Sequence, residues 1–241
     1  RIVDKLEGGR FGVLLVFFPF IFGAWLRMFF LFQPNALEIF FCTLMSYSLI
    51  RFIQSAKHQW LYLFGIALGL GVMSKYSVIF WAFSLWVGMV LTRLRSVFKN
   101  KHFYMAMLLA FFIVLPNFLW QSVHNFPVLH HMSELKETQL KYMNASDFLK
   151  GQLLMYLPVF FIWIAGLIFC FTFRGRYYRV FGIAFLVMQI MMIYLQGKVY
   201  YTAGAFPVLF AMGAVFLANT YKIKYRFVRS AEVIFPVLTG I

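Results

Sequence analysis

The chain is written in long apolar blocks separated by short polar or basic stretches. A hydrocarbon core about 30 Å thick is crossed by about 20 apolar residues in helical form. Five blocks read as strong spans on that scale: Phe11–Phe32, Ala36–Gln54, Phe103–Trp120, Gly151–Phe171 and Val180–Leu195. Ala203–Ala218 is slightly shorter. Trp60–Thr92 is too long for one comfortable crossing and short for two, and reads as two helices of about 16 residues meeting near "SKYS". The pattern predicts an all-α, polytopic transmembrane bundle of about eight spans, with a ninth beginning near Ala231. All of residues 1–241 then belong to one transmembrane domain, and 121–150 form an outer loop within it.

Composition agrees with the pattern. The 241 residues are 63% hydrophobic and 12% charged, with a mean hydropathy of +0.82, whereas a soluble domain is about 45–50% apolar and about 25% charged. The net charge of +15 would suggest a nucleic-acid partner in a soluble protein. With no compact basic domain, no nucleic-acid partner is expected, and the charge is read instead by the membrane face it occupies. With the N-terminus cytoplasmic, the inner segments carry Arg1, Lys5, Arg10, Arg51, Lys57, Arg93, Arg95, Lys99, Lys101, Arg174, Arg176, Arg179, Lys222, Lys224, Arg226 and Arg229. Arg27, Lys75, Lys136, Lys141, Lys150 and Lys198 fall outside. Reading Trp60–Thr92 as a single span would break this alternation. The charged opening "RIVDKLEGGR" and the apolar end "AEVIFPVLTGI" suggest a fragment of a longer polypeptide. Cys42 and Cys170 lie inside apolar blocks without partner spacing and read as core residues.

The candidate chemistry gathers on the outer face. Lys75 is the one formal charge between Trp60 and Thr92. An ammonium in hydrocarbon costs about 2.5–3.5 kcal/mol on insertion scales unless it snorkels or is paired. It reads either as a snorkelling lysine or as a cation in a recess whose counter-ion is a lipid phosphate, with Ser74 and Tyr76 adding donors beside it. "QGKVYYTAGAFP" places Lys198, Tyr200 and Tyr201 together, as an aromatic belt or as the wall of a phosphate or sugar cavity. Trp120 and His124 suit the wall of a carbohydrate site, and an interfacial anchor is the plainer role for Trp120. His131 and Glu134, beside His130, resemble part of a metal cluster, but spacing fixes no third ligand. Glu38, one turn into the second span, reads as an ion pair with Arg27, as a hydrated acid or as a metal ligand. Asp147 reads as the N-cap of the helix entering near Gly151, or as a solvated acid.

The order "LFQPNALEIFFCTL", "GIALGLGVMSKYSVIF", "LPNFLWQSVHNFPVLHHMSELKETQL" and "GKVYYTAGAFPVLFAMGA" resembles the membrane domain of bacterial family 39 glycosyltransferases. These are relatives of the protein O-mannosyltransferases and the aminoarabinose–lipid A transferases, of GT-C fold, and the resemblance runs from about residue 7 to residue 219. It implies an enzyme of the bacterial inner membrane with a periplasmic active face. Such an enzyme moves a sugar, with inversion, from a polyprenyl-phosphate donor to a lipid, glycan or protein acceptor. It further implies that Lys75 and Lys198 meet the donor phosphate and that Tyr200 and Tyr201 line the site. The catalytic carboxylate is expected in a first outer loop upstream of Arg1. Many relatives carry an acid directly after the proline of the turn that here reads Pro34-Asn35, and Glu38 is the local substitute as catalytic acid or metal ligand. A divalent cation is the one cofactor left open. The alternatives are a transporter or flippase of lipid-linked intermediates and a non-catalytic membrane subunit; the gathering of ionisable groups at one face, without a convincing internal repeat, favours the enzyme.

Overall fold

The computed structural model describes residues 1–31 and 33–224, with Arg27 and residues 221–224 described in backbone alone. The ninth span expected near Ala231 lies outside the described residues. So do the Arg226 and Arg229 charges and the side chains of Arg27, Lys222 and Lys224.

Among the described residues the chain is helical and has no strand. In chain order the helices are α1 Ile2–Lys5, α2 Gly9–Phe22, α3 Trp25–Phe30, α4 Asn35–Ser55, α5 Gln59–Ser74 and α6 Val78–Val90. They continue with α7 Lys101–Val123, α8 Pro127–Thr138, α9 Ala145–Met155, α10 Phe160–Phe171, α11 Arg179–Tyr194 and α12 Phe206–Lys224. Among the described residues the apolar blocks are largely helical. By length and apolarity four helical segments among the described residues suffice to cross a membrane, Asn35–Ser55, Lys101–Val123, Arg176–Tyr194 and Val199–Thr220, and up to six if each of two bent pairs counts as one span. α2 and α5 are shorter apolar helices. The protein is an all-α membrane protein.

Three segments differ from the sequence expectation. The block Phe11–Phe32 is not one helix: α2 stops at Phe22, Gly23 is extended (φ −99°, ψ 171°), and α3 restarts at Trp25. Pro19, inside the last turn of α2, has no amide to donate. Gly23 lies against the Tyr156 ring, and Ala24 N donates to Met155 O at 3.1 Å. The block Gly151–Phe171 bends by 65° between α9 and the following helix, where Pro158 lies in a short 3-10 turn, Leu157–Val159. Residues 121–150 are not an open loop, because α8 and the first turns of α9 occupy much of them. The N-cap of α9 is Asn144 and not Asp147: Asn144 Oδ1 accepts from Asp147 N at 2.8 Å, and Asn144 Nδ2 donates to the Asp147 carboxylate at 2.6 Å.

The hairpin at "SKYS" forms as expected, with α5 ending at Ser74 and α6 starting at Val78. Helices approach closely where small residues face each other, as membrane interiors favour. Gly65 and Gly69 of α5 meet Ala106 and Ala110 of α7. Gly166 of α10 lies on the Leu209 carbonyl, and Gly213 of α12 on the Ile162 carbonyl. The Val199–Thr220 segment is 83% buried, whereas the Lys101–Val123 window is 17% buried. α12 is therefore the central post, and α7 presents Leu108, Phe111, Phe112 and Phe118 outward. Trp25, Tyr156, Phe206 and Phe210 form one aromatic cluster around that post, with ring centroids 4.3–6.0 Å apart.

Two polar faces result. At one end stand the Lys75 turn, the start of α4, α8 and residues 196–202. At the other, Gln54 donates to Lys5 O and to Tyr178 Oη, and His58 stacks on His102 at 4.0 Å. Cys42 and Cys170 are buried, so a single added cysteine reports sidedness without background. Ser133→Cys, on α8, and Ser96→Cys are expected to react with an impermeant maleimide from opposite sides of the membrane. Labelling of both from the same side would contradict this division into two faces.

Candidate functional site

The site is built where α4 begins and the α5–α6 hairpin turns. Pro34 precedes the helix and leaves Asn35 and Glu38 in its first turn. A helix N-terminus favours a carboxylate through the peptide dipole. α5 ends as Lys75 becomes extended (φ −165°, ψ 126°), which directs its stem away from the hairpin axis and toward α4. There the ammonium pairs with Glu38 Oε2 and donates to Asn35 Oδ1 at 2.7 Å. Ser77 Oγ donates to Glu38 Oε1 at 2.6 Å. Glu38 is 2% exposed and the Lys75 side chain 17%. The pair is thus enclosed, with Lys75 the member nearer the opening.

This geometry revises the partners read from the sequence. Glu38 pairs with Lys75 and not with Arg27, whose side chain lies outside the described residues. With both carboxylate oxygens engaged inside the protein, Glu38 is held as a counter-ion. The Ser74 hydroxyl donates to Gly71 O at 2.7 Å and so supplies nothing beside the lysine. Tyr76 turns toward α7, where its hydroxyl donates to Asn117 Oδ1 at 2.6 Å and accepts from Gln121 Nε2 at 3.0 Å. Gln121 in turn accepts from Val128 N at 3.3 Å, which ties α8 to this corner. From Asn117, α7 continues six residues to Val123, about 9 Å at 1.5 Å per residue. The Lys75 turn therefore sits in a recess, lower than the end of α7.

The tyrosines of "GKVYY" cover that recess. The Lys75 ammonium lies 5.1 Å from the Tyr200 ring centroid and 5.3 Å from that of Tyr201, and the Lys198 ammonium 5.9 Å from Tyr200. All three are within the range of a cation–π contact. The two rings stand edge to face at 5.0 Å. The 3-10 helix Val199–Ala205 holds them there. It packs on α4 through Gly204, where a Cβ would meet Cys42 Sγ at 2.6 Å. Its other side is fixed by two buried polar residues that sequence reasoning passed over: Thr202 Oγ1 donates to Gln152 Oε1 at 2.9 Å, and Gln152 Nε2 donates to Val199 O at 2.8 Å. Their signal was present as lone polar side chains in apolar helices. Asn35 and Ser77, the remaining contacts of the ion pair, were missed as well.

Beyond Tyr201 opens a cavity of about 600 Å³, lined by Phe80, Met132, Leu140, Met192 and Leu195, with Lys136 at its edge. The site thus combines a recessed, counter-balanced ammonium, two phenols, a second lysine and an adjoining apolar chamber. An ammonium has three donors. Lys75 uses two within the protein, and the third is available to an anion. Lys198 has no carboxylate partner among the described residues.

Other sequence candidates stay apart. Trp120 and His124 stack on each other at 4.3 Å, and His124 Nδ1 lies 2.8 Å from Trp120 O. Trp120 is 52% exposed, and among the described residues no ring contact or hydrogen bond joins this pair to Lys75 or Tyr201. His131 and Glu134 are exposed on α8. No group of three or more His, Cys, Asp or Glu side chains converges among the described residues. The metal candidates therefore form no three-ligand group: His131 and Glu134, three residues apart on α8, supply two side chains at most, and Glu38 is committed to Lys75.

Residues 1–120, just under half of the chain, match the model of the dolichyl-phosphate-mannose-protein mannosyltransferase family. The matched stretch contains Asn35, Glu38, Lys75 and Ser77. No curated protein and no solved structure matches the chain.

Proposed function

We propose that this protein is a membrane glycosyltransferase that uses a polyprenyl-phosphate-linked sugar, with its site on the periplasmic face of a bacterial inner membrane. The observation that carries the reading is the Lys75 ammonium, recessed beside an apolar chamber and lying within the stretch that matches a lipid-phosphate mannosyltransferase family. A lipid-linked sugar phosphate is amphipathic in the same way. Its tail needs an apolar wall reachable from the bilayer, its phosphate needs fixed cations, and its sugar needs aromatic and hydroxyl surfaces.

The chemistry follows from the charges. The bond between the sugar C1 and the phosphate oxygen breaks, and its electron pair stays on the phosphate. An acceptor hydroxyl, on a lipid, a glycan or a protein, bonds to C1 from the opposite side, which inverts the centre. As C1 gains oxocarbenium character, negative charge grows on the phosphate, and cations fixed in a low-dielectric recess favour that state over the intact donor. Lys75 meets this charge with its third donor, and Lys198 supplies a second positive charge. Glu38, Asn35 and Ser77 hold Lys75 in place before the donor arrives. Tyr200 and Tyr201 form the wall between the ammonium and the chamber. The acceptor proton goes to a carboxylate base. Glu38 is not assigned that step, since Lys75 and Ser77 already occupy its oxygens.

Broken helices also occur in transporters, where they carry paired charges near the bilayer midplane. Here the two bent helix pairs break at Pro158 and at Thr92, and neither break carries a residue of the Glu38–Lys75 pair, which favours the enzyme.

A diazirine-bearing polyprenyl phosphate tests the placement. On irradiation of membranes it is expected to label peptides containing Met132–Leu140 and Met192–Tyr201, and the phosphate-free polyprenol to label them about tenfold less, the loss of one charge-assisted contact. Equal labelling by the two probes, or labelling confined to other peptides, would remove the phosphate from this site.

A further inference from the structure

At the far ends of α6 and α11 lies a second built feature that the transferase reading does not use. α6 ends at Val90, and the chain turns by 103° into the 3-10 stretch Arg93–Lys99. α11 begins at Arg179, just after the 3-10 turn Arg176–Tyr178. The two turns face each other across a cavity of about 640 Å³ lined by Arg93, Arg95, Arg176 and Arg179. Its apolar side is Leu91, Phe171, Phe173 and Ile183. No acidic residue lines it among the described residues, and none of the four arginines has a carboxylate partner there.

Four guanidinium groups placed together repel one another unless an anion occupies the space between them. Arg176 is already oriented: its guanidinium lies 4.4 Å from the Phe173 ring and 4.9 Å from the Tyr177 ring, and it donates to Tyr177 Oη at 3.1 Å. Guanidinium forks fit phosphate oxygens in pairs. The opposite wall names the rest of the ligand. Phe173 is 77% exposed and Leu91 64%, both at the ends of membrane helices, so the arginine cluster opens on acyl chains. A soluble phosphate would leave those side chains bare.

We propose that this cavity binds the head group of an anionic glycerophospholipid, with the phosphate among Arg93, Arg95, Arg176 and Arg179 and the acyl chains against Leu91, Phe173 and Ile183. The site is on the membrane face opposite Lys75, and the lipid there holds together the α6–α11 pair. Basic pockets between membrane helices on the cytoplasmic side select anionic lipids on the same grounds. The proposal does not depend on which reaction the Lys75 site performs.

Native mass spectrometry of the detergent-purified protein, titrated with dioleoylphosphatidylglycerol against dioleoylphosphatidylcholine, tests it directly. Phosphatidylglycerol is expected to bind about tenfold more tightly, and millimolar inorganic phosphate not to displace it. In the pairs Arg93→Gln with Arg95→Gln, and Arg176→Gln with Arg179→Gln, the preference is expected to vanish. It should persist in the equally charge-reduced control Lys99→Gln with Lys101→Gln, on the same face but outside the cavity. Three results would overturn the proposal. Equal binding of the two lipids by the unaltered protein would leave only an apolar groove. Displacement by inorganic phosphate would mark a site for a soluble anion. Equal loss in the lysine control would reduce the effect to general surface charge. The lipid competition uses the unaltered protein, so it decides even if an arginine pair fails to fold.

Discussion

Replacing Lys75 by alanine is expected to abolish sugar transfer and also to lower the stability of the protein. The two effects have one origin. Glu38 is 2% exposed and is compensated by Lys75 and Ser77. Without the ammonium it keeps a single hydroxyl donor. Removing one member of a buried ion pair costs about 3–5 kcal/mol, because the other is left uncompensated. The variant should therefore express poorly and unfold at lower temperature in detergent. A companion substitution separates fold from function. Lys75→Met combined with Glu38→Gln removes both charges and keeps similar volumes, and replacing a buried pair by neutral residues is often close to neutral in stability. The double variant is expected to regain most of the thermal stability and none of the transfer. If it recovers both, Lys75 serves only to neutralise Glu38, and the phosphate role is wrong. If Lys75→Ala alone retains full turnover, the whole assignment of the recess is wrong.

The second large effect is expected far from the site, at the contact of α10 with α12. Gly166 and Gly213 let the two backbones touch, each lying against a carbonyl of the other helix. A Cβ has no room at either position, and the atoms it would meet are backbone, which cannot rotate away. Gly213→Val is expected to separate the helices and disturb the aromatic cluster of Trp25, Tyr156, Phe206 and Phe210 around α12. Overpacking a well-packed core costs about 1–3 kcal/mol, and more where backbone must shift. α12 runs directly on from the 3-10 segment carrying Tyr200 and Tyr201, so the damage reaches the site. Size-exclusion profiles in detergent should show aggregation for Gly213→Val and a far more native peak for Gly12→Ala, where the nearest atom to an added Cβ is Val3 Cγ1 at 3.1 Å. A normal profile for Gly213→Val would mean that the helices sit further apart than described.

Much of this architecture was legible in the apolar blocks. The hairpin at Lys75 followed from counting residues and from the charge alternation, and α4, α5, α6, α7 and α11 lie where the blocks predicted. The breaks at Gly23 and Pro158 were not legible, because hydropathy counts apolar residues and is blind to a bend that keeps them apolar. The site was half visible. Lys75, Lys198, Tyr200 and Tyr201 stand out as polar groups in apolar surroundings, and the fold brings them together across about 125 residues. Their supporting contacts could not be read. Glu38 finds Lys75 because α4 and α5 pack side by side, and Asn35, Ser77, Gln152 and Thr202 acquire their roles only through that packing. His130, His131 and Glu134 illustrate the converse: the two histidines and the acid lie close in sequence on an exposed helix, and packing brings no further ligand to them among the described residues.

The most direct test of the account is a transfer assay on purified protein in proteoliposomes, with a polyprenyl-phosphate donor labelled in its sugar. Both products are followed, the glycosylated acceptor and the released polyprenyl phosphate. The account predicts that the two appear in equal amounts and that neither appears with the Lys75→Met, Glu38→Gln double variant. Passage of the intact donor from one leaflet to the other, with its sugar–phosphate bond unbroken, would contradict it and identify a transporter instead.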